Sequence, residues 1–258
     1  VEKNDQLPRL AFVHIPKTAG TSVTSALSAV YSQQMFHGMT TLDYALYSPE
    51  QLTEYRFFKG HAYRRDYEKL PVDTTFFSVM RDPVDRAISY YNYYRTLDAN
   101  IEQDPFVREA ISLSQNQGVI EFIYSDSPFV IEHLRLGQVR QFVTGETLAE
   151  MGHRQFLSRR LQQKIFEEFV EEVNRFQYFM TTELLELHFY KMLHELQIPH
   201  AADVLAHENR SESDDLVNTF DVRRALIDVG GLEFTCYDYV RKREAESLVH
   251  WGRRFFKN

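Results

Sequence analysis

Apolar residues occur in short blocks divided by polar ones, and the spacing inside the blocks changes along the chain. Leu10 to Ile15 reads as a short buried strand, Pro16 to Gly20 as a tight turn, and the residues from about Thr21 as a helix. In that helix Val23, Ala26, Leu27, Val30 and Tyr31 recur at the three-and-four spacing that buries one face. Tyr55 to Phe58 and Thr74 to Met80 read as further strands, the second rich in β-branched and aromatic residues. Asp82 and Pro83 suit the N-cap and first-turn positions of a helix. That helix groups Val84, Ala87, Ile88, Tyr91 and Arg95 near one azimuth, with Arg86, Ser89 and Tyr93 opposite, so one face packs and the other is open to a ligand.

The rest of the pattern is mostly helical. A long amphipathic run from about Gln155 to Phe176 carries the stripe Leu161, Ile165, Phe169 and Val173. Gln177 to Thr182 resembles a strand. Helices are predicted around Leu184 to Leu196 and Leu232 to Leu248, with a polar loop from His207 to Asp215 between them. Strands alternating with helices predict an α/β fold: a central, mainly parallel sheet flanked by helices in three layers, with ligands at the carboxyl ends of the strands. At 258 residues, with no repeat and no linker, one domain is expected: a ligand-binding core over 10–95 and a mostly helical region over 96–258 that returns a loop near 207–215.

Charge and cysteine content narrow the function classes. The formal charge of −8 argues against a general nucleic-acid binder, because counterion release needs a basic surface, so an anionic ligand must be held by local groups. No apolar block is long enough to span a bilayer. Cys236 is the single cysteine, so an intrachain disulfide is ruled out and a reducing cytoplasm is the expected setting. The alternative is a lumenal domain whose upstream anchor has been removed. Asn209-Arg210-Ser211 has the form of a glycosylation acceptor.

The chemistry concentrates in His14-Ile15-Pro16-Lys17-Thr18-Ala19-Gly20-Thr21-Ser22, which has the parts of an anion cradle. A small turn leads into a helix N-terminus whose free amides and dipole favour negative charge. Lys17 adds a cation, Gly20 permits close backbone approach, and hydroxyls supply further donors. The Walker order Gly-x-x-x-x-Gly-Lys-Ser/Thr is absent.

This loop is similar to the 5′-phosphosulfate loop of the carbohydrate-type sulfotransferases, which use 3′-phosphoadenosine 5′-phosphosulfate (PAPS). A second run, Arg81-Asp82-Pro83-Val84-Asp85-Arg86-Ala87-Ile88-Ser89-Tyr90-Tyr91, resembles that family's 3′-phosphate site. The resemblance covers about residues 10 to 95 and includes bacterial members. It implies a P-loop NTPase-like fold, PAPS as donor and PAP as product. It also implies Lys17, Thr18, Ala19, Gly20, Thr21 and Ser22 around the 5′ end, and Arg81 and Ser89 on the 3′-phosphate. Arg210 falls where such enzymes return a late loop to the nucleotide, and is either a third phosphate contact or an exposed loop arginine.

Sulfuryl transfer needs an in-line acceptor, a base for its proton and stabilisation of the leaving phosphate. Lys17, Thr18 and the loop amides are candidate stabilisers. His61, following Gly60 at a strand end, is the candidate base, since an imidazole titrates near neutrality. Phe58-Lys59-Gly60-His61 also resembles the Gly-His element of uronyl 2-O-sulfotransferases, although their position matching Lys59 is often histidine. His14 is expected to pack or cap the loop, and Glu54 is the reserve base. No His/Asp/Glu cluster has metal-ligand spacing, so no metal is expected.

A sugar hydroxyl is the acceptor that the resemblance implies, on a carbohydrate or glycolipid. The acidity of the chain favours a short or weakly charged glycan over a highly sulfated polymer. Gln138, Arg140 and Gln141 are similar to Gln-x-Arg-Gln stretches in bacterial members, where Arg140 would either orient an anionic acceptor or make a structural salt bridge. Two other readings share the anion loop, an ATP-dependent P-loop kinase and a non-catalytic nucleotide-binding protein. The oligomeric state is not legible.

Overall fold

A sheet of parallel strands must connect them by crossovers, and the chain does so in the computed structural model, which describes residues 7–36, 38, 40–61, 63–154, 156–199 and 219–255. Five strands, β1 (Leu10–Val13), β2 (Met35–Phe36), β3 (Phe57–Gly60), β4 (Thr75–Met80) and β5 (Tyr178–Thr181), form one sheet in the order β2-β3-β1-β4-β5. Every neighbouring pair is parallel. The longer helices are α1 (Gly20–Tyr31), α2 (Pro83–Arg95), α3 (Pro105–Asn116), α4 (Arg159–Arg175), α5 (Leu185–Glu195), α6 (Thr219–Gly230) and α7 (Leu232–Phe255). No helix among the described residues is long and apolar enough to cross a membrane. By internal contacts the chain divides into two compact units. The first is Val1–Met80, Glu172–Glu208 and Val240–Asn258, and the second is Arg81–Glu171 and Asn209–Tyr239.

The first unit holds the sheet. β1 is at its centre and wholly buried, as expected of a parallel strand covered on both faces. Alternation sends Leu10 and Phe12 into a core with Val23, Ala26 and Leu27 of α1 and Phe189, Met192 and Leu193 of α5. Phe12 stacks on Phe77 of β4 at 4.8 Å between ring centres. On the other face Phe58 meets Phe36, and Phe176 meets both Phe76 and Phe179. The predicted stripe of α1 is the packed one, with Val30 partly covered.

The strand boundaries differ from the sequence reading: β1 ends at Val13 rather than Ile15, β4 begins at Thr75 rather than Thr74, and β5 is one residue shorter at each end. β3 starts later than Tyr55 and runs on through Gly60, because parallel pairing of Phe12 with Lys59 and Val13 with Gly60 carries a lysine into the strand. β2 has two residues, too few for any periodicity to register.

In the second unit α2 begins as predicted. The Asp82 carboxylate accepts from the Val84 and Asp85 N–H groups, and Pro83 occupies the first turn. Val84, Ala87, Ile88 and Tyr91 are buried in a core shared with Ala110 and Ile111 of α3 and Val222 and Leu226 of α6. The opposite side is not the open face the periodicity predicts. Arg86 is 1 % exposed and Ser89 6 % exposed, while Arg95, grouped with the packing stripe, is exposed and lies over the Tyr91 ring. An azimuth count registers apolar side chains and overlooks an arginine whose burial is made tolerable by Glu233, 3.8 Å away, and by the His133 carbonyl at 2.7 Å.

Gly20 is fixed by packing. A methyl group there would lie 1.7 Å from His14 Nε2, and the His14 ring is itself held between Phe12 and His61. Gly20→Ala is expected to cost about 1–3 kcal/mol in urea unfolding. His14→Ala placed in the same background should restore most of that loss, and additive costs for the two changes would mean that the contact does not limit this position.

Candidate functional site

The turn after β1 is built from unusual backbone. Lys17 has φ 69° and Ala19 φ 62°, both left-handed and both without the freedom of glycine. Backbone turned in this sense aims successive N–H groups into one concavity, the geometry that binds anions. α1 starts at once from Ala19, whose carbonyl receives the first helical bond from the Val23 N–H, and no side chain caps that end. The amides of Gly20, Thr21 and Ser22 precede that bond and therefore have no intrahelical acceptor. Thr21 is exposed and Ser22 buried.

Two sequence expectations for this loop change in detail. The Thr18 hydroxyl, 0 % exposed, donates to the Ile15 carbonyl at 2.8 Å and closes the turn. Its proton is thus committed to the fold, which leaves the backbone amide as the other donor of Thr18. What approaches Gly20 closely is the His14 ring of the protein itself. His14 packs the loop, as the sequence reading has it.

β3 delivers His61 to the same end of the sheet. The His14 N–H donates to the Gly60 carbonyl at 3.0 Å, and His61 Nδ1 lies 3.0 Å from the His14 carbonyl oxygen. A carbonyl can only accept, so Nδ1 carries the proton and the neutral ring keeps its lone pair at Nε2. Tyr44 donates to the Lys59 carbonyl and Tyr67 to the Gly60 carbonyl, each at 3.2 Å, which fixes the backbone that presents the imidazole. Neither tyrosine was singled out in the sequence, since nothing local marks an aromatic that reaches back to another strand.

Basic groups crowd this corner. The His14 pKa lies well below the usual histidine value, first because burial disfavours the charged ring, then because His61, Lys59 and Lys17 repel it. His61 is lowered as well, by burial and to a lesser extent by Lys59, against the His14 carbonyl, which raises it. Burial lowers Lys59 in turn. Both imidazoles are therefore neutral at pH 7, and His61 has the protonation state of a base. Glu54 does not share this corner. It is exposed in the turn before β3, at the amino end of the sheet, where Arg9 bonds the carbonyls of Thr53 and Tyr55.

In the second unit Arg81 follows directly on β4. Its N–H donates to Gln138 Oε1 at 2.9 Å and its carbonyl accepts from Gln138 Nε2 at 3.0 Å. Gln138 is fully buried, and its own N–H donates to Glu233 at 2.8 Å. Burial, partly offset by Arg86, pushes the Glu233 carboxyl up to about 7. Sequence reasoning placed Gln138 in an acceptor segment; here it fixes the backbone of Arg81, and Glu233 carried no signal because its partners are remote in sequence. Arg140 pairs with Glu132 at 2.9 Å. Arg210 and the predicted loop 207–215 lie outside the described residues.

Two motifs, a loop at the central strand and a run after the fourth, thus occupy strand ends. Residues 4–118 match the Sulfotransferase family. The match takes in both motifs, His61 and all of α2. The five-stranded parallel sheet with its surrounding helices is the α/β fold expected of a sulfotransferase-family segment. No curated protein matches the chain.

The charge environment makes a direct prediction. In an NMR titration His61 should protonate below pH 6.5, and Lys59→Met should move its midpoint to higher pH by removing a repelling charge. A midpoint that ignores Lys59 would show that the ammonium is too far from the ring to matter.

Proposed function

We propose that the protein transfers the sulfuryl group of PAPS to a hydroxyl of a carbohydrate or glycoconjugate acceptor. The observation that carries this reading is the loop over 16–20: two left-handed residues and an uncapped helix N-terminus, beside Lys17 and Lys59, with a neutral imidazole at the next strand end. That donor set is all N–H groups and cations, which suits a phosphosulfate. The family match of residues 4–118 supports the same chemistry.

When bound, PAPS supplies an activated sulfuryl group and PAP as leaving group. Lys17 and the amides of Thr18 to Ser22 would stabilise the negative charge that grows on the bridging oxygen as the sulfur–oxygen bond breaks. His61 would accept the acceptor hydroxyl's proton at Nε2, its Nδ1–H remaining on the His14 carbonyl, which stabilises the imidazolium as it forms. Arg81 and Ser89 are assigned to the 3′-phosphate by resemblance, with Gln138 and Glu233 fixing the backbone from which Arg81 projects. Arg210 is assigned as a third contact on the same ground. The acidity of the chain favours a short or weakly charged acceptor.

Lys17→Ala and His61→Ala should each lower turnover of PAPS about 10²-fold or more with thermal unfolding unchanged. His61→Ala should spare PAP affinity, which separates a base from a binding residue. Near-parental rates in either variant remove that residue from the chemistry. Calorimetry provides the second check. PAP should bind at least tenfold tighter than adenosine 5′-phosphate, and Arg81→Ala should erase most of the difference. Equal affinities in the parent protein would overturn the 3′-phosphate assignment.

A further inference from the structure

The second unit contains a cavity of about 290 Å³ whose lining includes Arg140 and none of the residues assigned to PAPS or to the proton transfer. One turn of π-helix, Ile131–Arg135, forms part of its wall, with Met151, Arg154, Phe156 and Leu157 and the junction of α6 and α7. Such turns widen a helix locally and recur at functional sites. Three arginines and one aspartate, Asp228, line the space, so its charge balance is positive although the chain as a whole is acidic.

Two of those arginines are incompletely satisfied. Arg135 is 4 % exposed; its Nε and Nη2 donate to the carbonyls of Ile123 and Ser125, and its buried Nη1 has no partner among the described residues. Arg140 gives Nη2 to Glu132 and Nη1 to the Gly152 carbonyl at 3.5 Å, while its buried Nε is likewise without a partner. A buried N–H left unpaired costs about 1–3 kcal/mol, and both of these belong to arginines that line the cavity. Glu132 pairs with Arg140 and His153 and so compensates part of the Arg140 charge, Asp228 accepts from the Tyr124 hydroxyl at 2.9 Å, and Arg135 makes no ion pair within 4.0 Å among the described residues. Asp126 acts on Arg135 from outside the cavity lining. The remaining wall is apolar, with Leu136, Met151 and Leu157, and Phe156 and Ile227 stand exposed beside them.

We infer that this cavity binds a ring-sized organic anion, a carboxylate or sulfate ester whose charge meets Arg135 and Arg140 and whose body covers the apolar wall. Its volume sits at the small end of ligand pockets, matching a single ring with its substituents. The inference does not rest on the sulfotransferase reading, and a protein that never binds PAP could still show it.

Calorimetry with 4-nitrobenzoate, 4-nitrobenzamide and inorganic sulfate tests it on the full chain. The benzoate should bind at least tenfold tighter than its neutral, nearly isosteric amide and tighter than sulfate. Arg140→Gln should abolish the preference for charge, and Ile227→Trp, which adds bulk at an exposed position of the lining, should weaken the benzoate about tenfold while thermal unfolding stays unchanged. Equal binding of acid and amide, binding of sulfate as tight as the benzoate, no binding of any probe at millimolar concentration, or indifference to both substitutions would each overturn the assignment.

Discussion

His14 is the residue on which the first unit's chemistry depends. Its N–H and carbonyl reach to Gly60 and His61 at the end of β3, its ring stacks on Phe12 below and lies on Gly20 above, and the loop between must turn through two left-handed residues to pass it. Left-handed conformation at Lys17 and Ala19 costs on the order of 1 kcal/mol each and persists because its surroundings are over-determined. The Thr18 hydroxyl on Ile15 and the immediate start of α1 supply that determination. One residue thereby shapes the loop with its ring and sets the tautomer of the neighbouring imidazole with its backbone carbonyl.

The second unit solves a different problem, how to hold backbone beyond the end of a sheet. Past Met80 there is no further strand pairing for Arg81, and a buried glutamine takes the place of a neighbouring strand by bonding both its N–H and its carbonyl. Glutamine alone would be a loose substitute, with rotamers to lose and a buried amide to satisfy. Glu233 fixes it through the Gln138 N–H and faces Arg86, so a charge pair that contributes little net stability contributes position. Removing one member leaves the other uncompensated, whereas Arg86 alone, on sequence grounds, looked like a solvated residue of an open helix face.

That contrast separates what was legible from what was not. β1, β4, α1, the cap at Asp82 and the stripe of α4 could be read because periodicity and capping are local, and each is a property of fewer than twenty consecutive residues. The loop of 14–22 was legible for the same reason, as was the place of His61 after a strand. Gln138 and Glu233 were not, since a side chain recruited from 57 residues away to complete a backbone leaves no periodic trace. Thr18 was legible as a residue and misread as an atom: the sequence specifies a hydroxyl, and the fold decides that its proton goes to Ile15.

The two units also treat positive charge in opposite ways, and the difference bears on ligands. At the second unit's core Arg86 is met by a carboxylate of the protein, which closes the account internally. Around the loop, His14 is held neutral first by burial and then by the repulsion that His61, when protonated, and the ammonium groups of Lys59 and Lys17 exert on its proton, with no carboxylate among the causes. Lys17 and Lys59 both repel a proton on this ring, so the potential at the corner is positive, and an anion binding there would be favoured by both. By that logic affinity at the loop should weaken steeply with added salt. The cost of assembling the cations is borne by the fold, whose buried sheet holds β1 and β3 in register whatever their ends carry.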